Sequence, residues 1–225
     1  MSGEGADPPS CNPRYNDVER FEVVRTVRLK AVEGTDKAKC MGSLPRLELA
    51  DLPPELASAL EPRVKRLGYL GEFFKCAAHQ PDALYAFMEF TEATKAGLSN
   101  RLVEVVALTV AGWMGNAYER NQHERLSVRS GFGREWVQAV NSLKPEMSGP
   151  LTSEERQIQQ LVLAVLETKG KGAEALFEET TQMLGAPGAV AVLMVLGRYV
   201  VHGLFVNTLA LAPPVPSIFE DGFKA

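Results

Sequence analysis

From Leu44 onward, apolar residues recur three and four positions apart, which is the spacing of one helix face. Pro81 opens a helix over Asp82 to Lys95, with Leu84, Phe87, Met88 and Thr91 on its inward side and Gly97 closing it. Ser99 caps the next helix, through Val110, which presents Leu102, Val105, Val106 and Thr109 together. Gly112-Trp113-Met114-Gly115 breaks the pattern and predicts a corner. A helix from Asn116 to near Gly131 follows, then a short one from Gly133 to Leu143. Thr152 and Glu155 form a capping box ahead of Ile158, Leu161, Val162, Val165 and Leu166, and Lys169-Gly170 ends that helix. Ala173 to Leu184 leads into the turn Gly185-Ala186-Pro187-Gly188 and a mostly apolar helix to Ala212. Upstream, Asp51-Leu52-Pro53-Pro54-Glu55 marks a helix start with Asp51 as its cap. No alternating run interrupts this body, so the fold class is all-α.

The pattern divides the chain into an N-terminal arm (1–43), a helical domain (44–212) and a C-terminal tail (213–225) opened by Pro213, Pro214 and Pro216. The first thirteen residues are Pro, Gly and polar, a composition that predicts disorder. Phe21 to Val32, rich in Val and Arg, reads as a strand or as an arm packed on another subunit. A net charge of -4 over 225 residues argues against a nucleic-acid partner, which demands clustered cations. The densest cluster is Arg63, Lys65 and Arg66. Gly188 to Ala212 is apolar enough to raise the question of a membrane, but Arg198, His202 and Asn207 interrupt it. An Arg at the centre of a spanning helix costs roughly 2.5–3.5 kcal/mol, so the expectation is a buried helix and no membrane partner. Cys11, Cys40 and Cys76 are odd in number, far apart and in no CxxC pair. They read as free thiols in a reducing, cytoplasmic setting, with no metal site. The N-terminus has neither the basic start nor the apolar run of a signal peptide.

On a helix, Asn116, Glu119 and His123 share one face. A carboxylate and an imidazole one turn apart form a minimal acid–base unit. The same pair also fits a helix-surface contact worth a few tenths of a kcal/mol. Asn116 suits an N-cap as well as a hydrogen-bond donor to substrate, and Tyr118 suits the core as well as a ligand contact. Trp113 reads more readily as packing than as substrate stacking. Arg198 and His202, one turn apart in an apolar helix, fit either a cavity that holds an anion or a buried pair with Glu partners.

The stretch from Gly97 to Phe132 resembles the core of the carboxymuconolactone decarboxylase and alkylhydroperoxidase-D-like superfamily. A Leu-Ser helix start, Glu104 ahead of the corner, and Tyr118-Glu119-Arg120-Asn121-Gln122-His123 in the place of YEW-x-x-H carry the likeness, with Arg120 where the Trp stands. The flanks agree, from Phe73 to Phe87 and through Leu184-Gly185-Ala186-Pro187-Gly188, so the resemblance spans roughly residues 44–212. The redox branch has two cysteines at the positions held here by Asn116 and Glu119, and neither residue can form a disulfide or supply a thiolate.

The resemblance implies an alkylhydroperoxidase-D-like helical bundle and a homo-oligomer, trimer or hexamer, with a dimer as another arrangement. It implies a cofactor-free enzyme acting on a small organic acid or lactone by decarboxylation, isomerisation or hydrolysis. His123 would carry the proton and Glu104 and Glu119 would orient it, as the catalytic set. Asn116, Tyr118, Arg120, Trp113, Arg198 and His202 are the candidate substrate contacts, Arg120 adding positive charge if it points inward. A thiol peroxidase and a helical oligomer without activity are the rival readings.

Overall fold

Every side chain from Leu102 to Ala111 is buried, so the helix that carries them has no solvent face over that length. This helix, α4 (Asn100–Trp113), needs neighbours all round. It has them in α5 (Ala117–Arg129), α6 (Arg134–Asn141), α7 (Ser153–Thr168) and α8 (Glu174–Thr208). A 3-10 turn (Leu49–Asp51), α1 (Pro54–Leu67), α2 (Glu72–Ala77) and α3 (Pro81–Lys95) precede it. The computed structural model describes residues 44–147, 149–220 and 223, and among the described residues there is no strand. The expected arm 1–43, with the disorder expected of its start and the strand or arm expected at Phe21 to Val32, lies outside the described residues.

Two apolar cores form. The larger gathers Val105, Val106 and Leu108 of α4, Trp136 and Val140 of α6, Ile158 and Leu161 of α7, and Val192, Val195 and Tyr199 of α8. The smaller joins Leu56 and Leu60 of α1, Phe73 and Cys76 of α2 and Leu84 of α3 to Tyr118 of α5 and Val206 of α8. α5 and α8 therefore run along the seam between the cores, and the polar groups described below sit in that seam.

Local signals act much as the sequence predicts. Ser99 caps α4, its Oγ accepting from Leu102 N–H at 3.4 Å. Thr152 and Glu155 form the reciprocal capping box of α7. The expected turn at Gly185 is a kink inside α8, where φ is 72° and ψ 164°. Asp51 does not cap α1. Pro53 holds that position, and the Asp51 carboxylate accepts from Glu48 N–H at 2.9 Å, closing the 3-10 turn. α2 has no helix signal of its own strength in the sequence; it is six residues long and held by the contacts of Phe73 and Cys76.

α8 is long and apolar enough to cross a bilayer, but more than half of its most apolar stretch is buried inside this fold. Arg198 and His202 lie on the buried side. Residues 213–219, expected as a tail, pack against α5: Asn121 donates to Val215 O at 3.0 Å, Arg125 Nε to Pro216 O at 2.9 Å, and Ile218 N–H to Glu124 Oε2 at 3.1 Å. Ile218 is fully buried in the larger core.

Candidate active site

The corner between α4 and α5 sets the site. Gly115 takes a left-handed φ of 64°, which lets Gly115 N–H reach Gly112 O at 3.1 Å and Asn116 N–H reach Ala111 O at 2.8 Å. Asn116 then caps α5, its Oδ1 accepting from Glu119 N–H at 3.1 Å. α5 folds back along α4, and Glu104 of α4 comes to lie beside His123 and Ser127 of α5. α8 closes the other side and adds Arg198 and His202.

His123 is clamped. Its Nδ1 lies 2.7 Å from Glu104 Oε2 and its Nε2 lies 3.2 Å from Glu119 Oε2. Burial alone lowers the imidazole, but Glu104, by charge and hydrogen bond, and then Glu119 outweigh it and raise its pKa to about 9. At neutral pH the ring is an imidazolium that donates from both nitrogens. Ser127 Oγ adds a donor to Glu104 Oε2 at 3.3 Å. The Tyr199 ring meets His123 edge-on at 5.1 Å between centroids.

Glu119 is the hub. His202 Nε2 lies 3.1 Å from its Oε1 and Arg198 Nη1 lies 3.4 Å from its Oε2. Burial pushes this carboxyl up, but His202, the hydrogen bond from His123 and Arg198 together hold it well below the usual carboxylate range. The same burial, with only partial help from Glu119 and with Arg198 and His123 against it, lowers His202 to about 4. Lowered to about 4, His202 carries no proton at neutral pH, so its share in holding Glu119 down shrinks to that of a neutral N–H. We place the charge on His123, which faces two carboxylates, and leave His202 a neutral N–H donor packed on Phe73 at 4.0 Å between ring centroids. Glu119 is then held down by His123 and Arg198. Arg198 is fixed further by Nε donating to Thr91 Oγ1 at 3.3 Å and by the Tyr199 ring 4.2 Å from its guanidinium carbon.

These groups open on a cavity of about 650 Å³. That volume suits a small organic molecule. Glu119, His123, Arg198, His202 and Tyr118 line it, with Tyr69, Phe73 and Phe74 as aromatic wall. Six cationic residues line it (Arg63, Arg66, Lys95, Arg125, Arg129 and Arg198) against two acidic ones, Glu92 and Glu119. The chain is acidic as a whole, so this hollow reverses the overall sign. Tyr118 OH accepts from Phe73 N–H at 3.3 Å, and burial pushes its pKa upward, so the phenol keeps its own proton to donate. Val215 of the C-terminal segment completes the wall.

The geometry brings Glu104, Glu119, His123, Tyr118, Arg198 and His202 together. It separates three other candidates. Asn116 is committed to capping α5. Arg120 turns toward buried Glu124, with Nε 3.6 Å from Oε1, and is not a cavity residue; the α5 helix carries it a quarter-turn away from Glu119. Trp113 is 44% exposed at the end of α4 and lies outside the cavity wall. The sequence reading missed Lys95, Thr91, Ser127 and Tyr199. Thr91 reads as an inward helix position, and only its Arg198 contact shows its polar use; Ser127 sits one turn after His123 and was legible in principle. Among the described residues no group of three His, Cys, Asp or Glu side chains is placed to hold a metal ion.

No family model matches the sequence, and no curated protein matches it. Solved structures do. A peroxidase-related protein from Ralstonia eutropha JMP134, described as an alkylhydroperoxidase AhpD core, aligns with a TM-score of 0.67 at 19% identity over 76% of this chain and 91% of its own. The chain has the AhpD-like fold. The debrominase Bmp8, in complex with 2,3,4-tribromopyrrole, aligns at 0.62 with 16% identity over 74% and 89%. A protein of unknown function from Agrobacterium tumefaciens aligns at 0.55 with 19% identity over 62% and 96%. These superpositions show a shared AhpD-like architecture, expected from the motif around His123, and leave the chemistry to the residues.

Proposed function

We propose that this protein is an acid–base enzyme acting on a small anionic organic molecule, with decarboxylation of a carboxylated lactone or keto acid as the favoured reaction. The observation that carries it is the row Glu104–His123–Glu119, buried at one end and open to a cation-lined cavity at the other. Loss of carbon dioxide drives an electron pair toward a conjugated carbonyl oxygen, and a proton must then return to carbon. His123 stores that proton. His123 lines the cavity and delivers the proton itself, while Glu104 and Glu119 keep the ring oriented. Tyr118 O–H supplies a donor for the developing oxyanion, and Arg198 draws the anion inward. Bmp8, with the same fold, binds a small planar ring, and the aromatic wall here suits a ligand of that kind.

His123→Gln tests the reading. Against a panel of small carboxylated lactones and keto acids, release of carbon dioxide by the wild-type protein should fall about 10²–10⁴-fold in the variant with KM little changed, the range for loss of a positioned acid–base group. Unchanged turnover would remove His123 from the chemistry.

A thiol peroxidase finds no support at this site. Among the described residues the one cysteine is Cys76, which is buried in the smaller core and outside the cavity wall, and burial raises its thiol pKa. Peroxide consumption with a dithiol donor should therefore be the same in Cys76→Ala as in the wild type.

A further inference from the structure

One amine in the cavity has no part in the row just described. Lys95 is the last residue of α3 and lines the same hollow as Glu119, His123 and Arg198. Its natural partner one turn earlier, Glu92, is taken: Arg63 Nη2 lies 3.3 Å from Glu92 Oε1. Among the described residues no carboxylate comes within ion-pair distance of Lys95 Nζ. The amine instead stands 5.8 Å from the centre of the Tyr199 ring, the ring that also carries Arg198 at 4.2 Å and touches His123 edge-on at 5.1 Å. One aromatic side chain thus gathers an unpaired amine, a guanidinium and the proton store around a single space.

The surroundings weaken the ammonium form. Burial is the largest cause and Arg198 the second, and Glu104, Glu92 and Glu119 oppose them without restoring the ordinary value, so the Lys95 pKa is lowered. An uncharged amine is a nucleophile toward carbonyl carbon, and a lysine desolvated beside another cation is a recognised way to make one.

We propose that Lys95 is a carbonyl-reactive lysine, and that the cavity takes a 3-oxo acid as an imine on its Nζ. The inference rests on the reading of the cavity as a site for small organic acids and narrows that class. The Nζ lone pair attacks the ketone carbon, forming the C–N bond. The carbonyl oxygen leaves as water, with one proton from the amine and one from His123, which lines the same cavity, and a protonated imine remains. The bond to the carboxylate then breaks, its electron pair moves through the adjacent carbon to the imine nitrogen, and carbon dioxide departs from a neutral enamine. His123, recharged by a proton from solvent, protonates the enamine carbon. Water adds to the imine carbon, releases the ketone and a proton, and returns Lys95 as the free amine. The turnover consumes one proton from solvent and needs no oxidant or reductant.

Borohydride trapping decides the question. The intact protein is incubated with 4-oxopentanoate, a keto acid that forms an imine without losing carbon dioxide, reduced with sodium borohydride, digested and mapped by mass spectrometry. A reduced adduct should appear on Lys95 at several times the level on exposed lysines such as Lys65, since the amine in the cavity is unpaired and its ammonium form is disfavoured by burial. Lys95→Arg, which keeps the charge, should abolish that adduct, and so should Lys95→Met. Because the wild-type map needs no variant, misfolding of either variant leaves the test standing. Adduct spread evenly over surface lysines, or none at Lys95, overturns the proposal. The two readings fail separately: release of carbon dioxide from acetoacetate at the wild-type rate by Lys95→Arg would keep the acid–base site and discard the imine. Trapping at Lys95 with no turnover in any assay would keep the reactive amine and discard the decarboxylase.

Discussion

At the residue scale, the positions of protons among buried groups decide both chemistry and stability. His123 has an ordinary pKa of 6.5 and is raised to about 9, so the native protein keeps a proton that the unfolded chain releases between those values. Stability from this group is complete below pH 6.5 and is lost as pH rises toward 9. His202 has the opposite sign. It is lowered from 6.5 to about 4, so between those values the unfolded chain takes up a proton that the native protein refuses, and stability falls as the pH drops. Each shift corresponds to something on the order of 3 kcal/mol across its interval. Denaturant melts over pH 4 to 9 should therefore peak near pH 6.5. His202→Phe should flatten the acid limb and leave the alkaline limb in place, whereas a curve that rises steadily to pH 9 would contradict the charged His123. Glu119→Gln should cost both ways. It removes the carboxylate between His123 and Arg198 and leaves buried cations short of a partner, a loss of about 3–5 kcal/mol for a broken buried pair.

At the element scale, placement of the site depends on one corner and one strap. Gly115 is the left-handed residue that ends α4 and lets Asn116 begin α5 without a loop between them. A methyl group there meets no neighbour within 4 Å, so Gly115→Ala should cost only the conformational penalty, about 1–2 kcal/mol, readable as a lowered melting point in an otherwise intact fold. The Gly112 to Gly115 corner was legible because glycine and a following cap residue leave few alternatives. The strap was not. Val215, Pro216 and Ser217 read as a terminal tail, because proline ends helices and nothing local says that a chain returns to the core. What returns it is tertiary: Glu124, buried on α5, accepts from Ser217 Oγ, from Ile218 N–H and from Asn141 Nδ2. Ser217→Ala removes one donor and leaves Glu124 with the others, so the expected loss is about 1 kcal/mol.

At the scale of the whole molecule, the periodic pattern was enough for the helices because a bundle is built from repeated use of one rule. From the residues alone the site was legible where they are close in sequence, as with Glu119 and His123 or Arg198 and His202, and Glu104 entered through the resemblance. Pairing across the bundle follows from the way α8 lies over the corner, which no short motif encodes, and so Lys95, Thr91 and Tyr199 had no signal. The reach of Arg120 also misleads, since a charged residue beside the motif looks available until Glu124 claims it. α8 leaves Val190, Met194, Val201 and Leu204 exposed at seam spacing on either side of Gly197, whose added methyl would meet open space. An apolar face of this spacing suits contact with another helix. We propose that it packs against another copy, and Val201→Asp should lower the mass measured by light scattering to that of one chain if so; an unchanged mass would show that this face takes no part in self-association.

The site's chemistry depends on a proton held on His123 between Glu104 and Glu119. Titration of the His123 ring nitrogens by NMR in ¹⁵N-histidine-labelled protein tests it most directly. The account predicts an imidazolium through neutral pH with a midpoint near 9, falling markedly in Glu104→Gln; a midpoint at or below the ordinary 6.5 in the wild-type protein would contradict it.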